Sequence, residues 1–125
     1  MKHLEAKIAN FTKALSRLKT VLVREEDDVK IDVCIKRFEF TYELCWKAMQ
    51  SALRELGIIA NNPRDIFDKA NKQGLVDNPE LWLQMKDDRN DTAHEYDEKK
   101  AAEIYSRIPA YAKEFGIVLD KLREI

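Results

Sequence analysis

The spacing of apolar residues between positions 29 and 56 constrains the fold of this chain more than any other feature of its sequence. At about 100° per residue, Val33, Phe40 and Leu44 lie nearly opposite the main apolar face of this segment. We therefore predict a long helix, ended by Gly57, that is apolar on two sides. Eight residues recur at steps of three and four and define the main face: Ile31, Ile35, Phe38, Tyr42, Cys45, Met49, Leu53 and Leu56.

A helix with two apolar sides needs two sets of packing partners. The second side could be covered by the rest of the same chain or by a second copy of the protein. The pattern favours neither arrangement over the other. Val33, Phe40 and Leu44 are therefore candidates for a dimer interface, with burial inside one chain as the alternative.

Four further helices are predicted around this one. Cap residues indicate that two short helices begin after Asn62 and near Pro79, the first of them covering about 63–73, and that a last helix begins at Asp97. Asp28 or Asp32 is expected to cap the second helix. A first helix over about 3–23 is marked by an apolar stripe of Leu4, Ile8, Phe11, Leu15, Leu18 and Leu22. The last helix is marked by a second stripe of Ala101, Ile104, Ile108, Tyr111, Phe115, Val118 and Leu122. Pro109 should kink the last helix or weaken its hydrogen bonding.

The pattern as a whole predicts an all-α fold. No segment alternates apolar and polar residues as a strand does, and no glycine-rich phosphate loop is present. The chain has 125 residues with only three glycines and three prolines, so turns are few and the elements long. We predict a single domain over residues 1–125, built as an antiparallel, up-and-down bundle of four to five helices.

Charge and composition narrow the classes of function. The net charge of −1 gives the chain no overall basic field that would attract nucleic acid or an anionic membrane. No run of eighteen apolar residues and no signal peptide is present, so we expect a cytoplasmic protein without membrane contact. Cys34 and Cys45 lie too far apart along one helix to form a disulfide. They are expected to be buried thiols.

The segment from Asp87 to Glu98 is the one cluster of residues suited to phosphate chemistry. Arg89 offers a fixed cation with a fork of donors, and His94 can exchange a proton near neutral pH. On one helix these two side chains would lie about 140° apart, whereas Arg89 and Tyr96 share a face. For Arg89 and His94 to act on one phosphate, either the helix ends near Thr92 or the site is built from two subunits.

Other interpretations of this segment are weaker or less specific. An arginine and a histidine near a helix end are often ordinary solvated or capping residues. His3 and His94 are the only histidines and no cysteine is near either, so no metal site is expected. Carboxylates also outnumber cations around this segment, which is unfavourable for RNA binding by a monomer. The carboxylates are Asp87, Asp88, Asp91, Glu95, Asp97 and Glu98, and the cations are Lys86, Arg89, Lys99 and Lys100.

The order of several motifs resembles the nucleotidyltransferase substrate-binding protein family, a branch of the HEPN superfamily. The resemblance covers about residues 4 to 122 and is carried by the run RFEFTYELCWK over 37–47, by Pro63-Arg64, by Trp82 and by RNDTAHEY over 89–96. It implies a small helical bundle that forms a homodimer and pairs with a separate minimal nucleotidyltransferase, usually as a toxin and antitoxin. No cofactor is expected on this chain. ATP and a divalent metal would belong to the transferase.

The resemblance also implies roles for individual residues. In HEPN ribonucleases the arginine and histidine of this motif line a cleft between two protomers and cleave RNA without a metal. Arg89 would hold the scissile phosphate, Asn90 would help to orient it, and His94 would transfer protons. Tyr96 would be the position that the transferase modifies with AMP, which would block the cleft. The alternatives are a non-catalytic subunit that presents substrate to the transferase and a bundle without a site.

Overall fold

The computed structural model describes residues 2–94 and 97–125, with side chains for 3–93 and 97–125. Five helices follow one another within these ranges: α1 (Lys2–Leu22), α2 (Asp28–Glu55), α3 (Pro63–Lys72), α4 (Pro79–His94) and α5 (Glu98–Leu122). No strand occurs in the described parts of the chain. The prediction of an all-α bundle is confirmed.

The helix ends follow the cap residues, with one correction. Asn62 and Asp97 cap α3 and α5 as predicted. The prediction that Asp28 or Asp32 caps α2 is wrong, because the cap is Asp27, whose extended backbone lets its carboxylate accept a hydrogen bond from the amide of Lys30 at 2.7 Å. Asp28 is already the first helical residue. A run of acids offers several candidate caps, and only the backbone angle at each position decides between them.

Two helices end at glycines in the left-handed region. Gly57 follows α2 with φ of 80°, and Gly74 follows α3 with φ of 77°. A side chain at either position would be strained, so both chain reversals depend on glycine. At Pro109, by contrast, α5 continues as one helix. Proline has no amide hydrogen to donate, so one helical hydrogen bond is lost there.

The core surrounds α2, which contacts each of the other four helices. Every residue of the predicted α5 stripe is buried, as are most of the α1 and α2 stripes. Leu56 is an exception at 48% exposure, because it lies beyond the last turn of α2. Cys34 and Cys45 are buried free thiols, as predicted. Aromatic rings join the helices at the centre of the core: Phe11, Phe38, Phe67, Trp82, Tyr111 and Phe115.

The second apolar side of α2 is only partly covered by the chain itself. Val33 and Leu44 are half-buried, and Phe40 is 57% exposed. The rest of the chain therefore does not bury Phe40.

No helix in the described parts of the chain is both long and apolar enough to cross a bilayer.

Candidate functional site

The predicted motif lies on the C-terminal half of α4. Thr92 and Ala93 are both helical and α4 continues to His94, so the alternative in which the helix ends near Thr92 is wrong. The Thr92 hydroxyl donates to the carbonyl of Arg89 at 2.7 Å, within the same helix. Positions 89 and 94 therefore lie on one continuous helix, about 140° apart around its axis. Tyr96 and the side chain of His94 lie outside the described residues, as does the predicted shared face of Arg89 and Tyr96.

Asp88 forms a buried polar contact between α4 and α5. Arg107 donates from Nε and Nη2 to its two carboxylate oxygens at 2.8 and 2.7 Å, and the Tyr111 hydroxyl donates to it at 2.6 Å. The Asp88 side chain is 5% exposed. The sequence counts Asp88 among the acids that surround the motif, and the structure corrects that count. Asp88 is buried and paired, so it adds no free negative charge to the surface around Arg89.

The sequence contains a signal for this burial. Trp82, Met85 and Asp88 recur at steps of three on α4, and the first two are fully buried hydrophobic residues. Asp88 therefore continues an apolar stripe with a charged residue. The fork of Arg107 and the hydroxyl of Tyr111, one helical turn apart on α5, supply the donors that a buried carboxylate needs.

Arg89 extends toward α2 rather than α5. Its Nε lies 3.7 Å from a carboxylate oxygen of Glu43. That nitrogen is buried yet has no hydrogen-bond partner among the described residues. Asn90, the next residue, is exposed. The guanidinium is thus half-buried and close to one carboxylate; because Nε is buried, a ligand would have to contact Arg89 through the Nη atoms.

Tyr42 lies beside this ion pair. Its hydroxyl is buried without a hydrogen-bond partner among the described residues. Burial raises the pKa of Tyr42 well above its usual value; the charge of Glu43 adds to the increase, and Arg89 opposes it. Burial and the hydrogen bond to Asp88 likewise raise the pKa of Tyr111. Both phenols are therefore neutral at physiological pH.

The three candidate interface residues lie together in one groove of about 500 Å³ between α1 and α2. Val33, Phe40 and Leu44 are its apolar residues on α2. Its other lining residues include four cations and no carboxylate: Asn10, Lys13, Ala14, Arg17, Lys36 and Arg37. The Lys36 ammonium lies 5.3 Å from the centre of the Phe40 ring. The groove thus combines an exposed aromatic ring with a basic rim.

A second depression connects this groove with the motif. It is lined by Asp32, Ile35, Lys36, Glu39 and Thr92, so it reaches from α2 to the end of α4. Lys36 lines both depressions. The motif on α4 and the groove beside α1 therefore lie along one continuous stretch of surface, and Lys36 stands between them.

A family model described as nucleotidyltransferase substrate binding protein like matches residues 6–124. The chain belongs to this family. The match spans nearly the whole sequence and agrees with the helical fold. It confirms the family that the motifs of the sequence resemble.

One named protein and two solved structures illustrate the similarity. A protein of Haemophilus influenzae (strain ATCC 51907 / DSM 11121 / KW20 / Rd) named "Probable ribonuclease HepT" is 35% identical over 102 residues, covering 78% of this chain and 70% of the relative. A crystal structure from Thermus thermophilus is 39% identical with a TM-score of 0.85, covering 90% of this chain and 98% of that one. A solved structure from H. influenzae, described as revealing the fold of a substrate binding domain of a nucleotidyltransferase, is 28% identical with a TM-score of 0.69, covering 98% of each chain.

The described side chains also bear on metal binding. Among them, no group of three or more histidine, cysteine, aspartate or glutamate residues is arranged to hold a metal ion. The carboxylates near the motif have other contacts instead. Asp88 is paired with Arg107, Glu43 with Arg89, and Asp91 lies 3.4 Å from the Lys100 ammonium.

The raised pKa values of Tyr42 and Tyr111 predict the stability of the protein at high pH. In the unfolded chain tyrosine loses its proton near about pH 10, whereas the folded state retains both protons above that pH. The free energy of unfolding should therefore fall above about pH 10, by up to about 1.4 kcal/mol per pH unit for each tyrosine. Tyr42→Phe, which removes no hydrogen bond to any described residue, should reduce this slope in urea unfolding measured across that range. An unchanged slope would contradict the burial of this phenol.

Proposed function

We propose that this chain is the HEPN-type partner subunit of a minimal nucleotidyltransferase and, as a homodimer, a toxin-like endoribonuclease that needs no metal. The observation that carries the proposal is Arg89, which is half-buried beside Glu43 with a buried Nε that has no hydrogen-bond partner among the described residues. Nε itself is out of reach of a ligand, but the exposed Nη atoms of this fixed cation suit the oxygens of a phosphodiester. Family membership and the relative named as a probable ribonuclease add support.

The proposed reaction divides the work among three side chains. His94 removes the proton of a ribose 2′-hydroxyl, whose oxygen then attacks the adjacent phosphorus. Arg89 stabilises the negative charge that develops on the phosphate oxygens, and the exposed Asn90 orients them through its amide. The bond from phosphorus to the 5′ oxygen breaks, leaving a 2′,3′-cyclic phosphate. The departing 5′ oxygen takes a proton from His94 of the partner subunit.

Two copies of the chain are required because of the geometry of α4. On one continuous helix, positions 89 and 94 lie about 140° apart around the axis, so one copy would not bring both side chains onto the same phosphate. We propose that the copies join through Val33, Phe40 and Leu44, the apolar residues of the groove between α1 and α2. Its four rim cations would then lie on both sides of the two-fold axis. They would supply phosphate contacts that the acidic motif segment lacks.

Regulation by the transferase is the other part of this proposal. The partner would hold ATP and a divalent metal, and would transfer AMP to the hydroxyl of Tyr96 with release of pyrophosphate. The added phosphate would be an anion close to Arg89 and would compete with RNA for the guanidinium. The modified chain would therefore be silent.

A second candidate is a non-catalytic subunit that presents substrate to the nucleotidyltransferase. The H. influenzae structure described as a substrate binding domain, which aligns over 98% of this chain, favours this alternative. The fold, the transferase partner and the basic groove are common to both candidates. They differ in whether His94 transfers protons.

RNA cleavage by the purified protein in EDTA tests the first candidate. Replacing His94 by Ala should lower the cleavage rate by about 10²- to 10⁴-fold, because the proton transfer is lost. His3→Ala is the matched control, since His3 is the other histidine and lies exposed on α1. Fluorescence of a labelled single-stranded RNA gives the rate. Absence of cleavage by the wild type would favour the substrate-presenting alternative, and full activity in His94→Ala would contradict the ribonuclease proposal.

Mass spectrometry after incubation with the transferase and ATP tests the role of Tyr96. Adenylate should be found on Tyr96, and Tyr96→Phe should remain unmodified and active toward RNA. Tyr105→Phe is the control, because the Tyr105 hydroxyl already donates to Glu26, in the turn between α1 and α2, at 3.0 Å. Adenylate on another residue would refute the assignment of Tyr96.

A further inference from the structure

The polar contact at Asp88 lies one residue before the arginine of the motif. Asp88 accepts two hydrogen bonds from Arg107 and one from Tyr111, at distances between 2.6 and 2.8 Å. All three bonds cross from α5 to α4. Asp88 is also the last buried side chain along α4 in the described part of that helix, since every side chain from Arg89 to Ala93 is at least partly exposed. These three bonds are therefore the buried anchor of the segment that carries the motif.

Stability alone does not account for a charged anchor at this position. Removing an ion pair from water is costly, and well-packed apolar residues of similar volume often serve equally well or better. The neighbouring stretch of α4 shows this, because Trp82 and Met85 hold it to the core by apolar packing. A bidentate ion pair supplies something that apolar packing lacks, namely a fixed direction.

The fixed direction determines where Arg89 extends. Successive residues of a helix are rotated by about 100°, so holding Asp88 against α5 turns Arg89 toward another side. That side is α2, where the Glu43 carboxylate lies 3.7 Å from the Arg89 Nε. Without this anchor, the rotation of α4 would be set by Trp82 and Met85, two turns and one turn before Asp88. The end of the helix would then be held to α5 mainly by the partly exposed ion pair of Asp91 with Lys100 at 3.4 Å.

We propose that Asp88, Arg107 and Tyr111 are positioning residues that fix the rotation of the last turns of α4 and so hold Arg89 against α2. They do not touch the substrate and act through Arg89. The effect on RNA cleavage rests on the proposed ribonuclease function. The orientation of Arg89 does not, and it can be measured in a protein that cleaves nothing.

The test replaces the three residues by apolar ones of similar size in the full chain: Asp88→Leu, Arg107→Met and Tyr111→Phe together. The triple variant should fold with an unchanged or higher urea midpoint. The Nε–H resonance of Arg89, identified in nitrogen-edited NMR by its loss in Arg89→Lys, should exchange with water at least about tenfold faster than in the wild type. RNA cleavage should fall by about 10- to 100-fold, because small misplacements of a catalytic group have effects of this size.

The matched control is Lys121→Met, which removes the 3.2 Å ion pair between α5 and Asp77 without touching the motif. It should leave both the Arg89 resonance and cleavage unchanged. An Arg89 resonance that is unaltered in the folded triple variant overturns the inference, whatever the cleavage rate. Lack of cleavage by the wild type contradicts only the ribonuclease proposal, and the NMR result still decides this one.

A milder variant covers the case in which the triple variant does not fold. Tyr111→Phe keeps the ion pair and the aromatic packing and removes only the 2.6 Å hydrogen bond. The Arg89 Nε–H should then exchange measurably faster, by less than in the triple variant. Exchange equal to that of the wild type in Tyr111→Phe would overturn the inference in that case.

Discussion

The packing of four helices around α2 is the constraint on which the rest of the structure depends. One face of α2 is buried against α1, α3, α4 and α5, with the Phe38 ring stacked 5.4 Å from Tyr111 of α5. This packing buries one of the two apolar sides of α2. The other side is left in the groove against α1, where Phe40 is 57% exposed and the lining includes four cations. The same packing that stabilises the monomer therefore creates the surface available to a second chain.

The candidate site depends on a change in the kind of packing along α4. Trp82 and Met85 bury apolar surface, and Asp88 then replaces that packing with an ion pair and a phenolic hydrogen bond. Burying these charges adds direction rather than stability. Arg89 consequently faces α2 with a buried Nε that donates to no described residue. The buried hydrogen bonds of Asp88 thus set the direction of the adjacent Arg89, on which the proposed RNA chemistry depends.

Sequence reasoning predicts most of the fold because apolar spacing and cap residues are local signals. The α5 stripe and the caps Asn62 and Asp97 are correct, whereas Asp27 is missed because the neighbouring acids are chemically equivalent until the backbone is known. The burial of Asp88 is missed because its partners are 19 and 23 residues away along the chain. Val33, Phe40 and Leu44 are correctly grouped on one face, but one chain cannot show what covers them.

Sedimentation equilibrium combined with RNA cleavage for Phe40→Lys tests most directly whether the site is built from two copies. Replacing the exposed Phe40 ring by an ammonium removes the largest apolar contact of the groove and adds a charge that would have to be desolvated, so the variant should be monomeric and inactive toward RNA. Ile59→Lys is the matched control, since Ile59 is 59% exposed but lies outside this groove, and it should remain dimeric and active. A Phe40→Lys variant that stays dimeric, or a monomer that cleaves RNA at the wild-type rate, would contradict a site built from two copies through this groove.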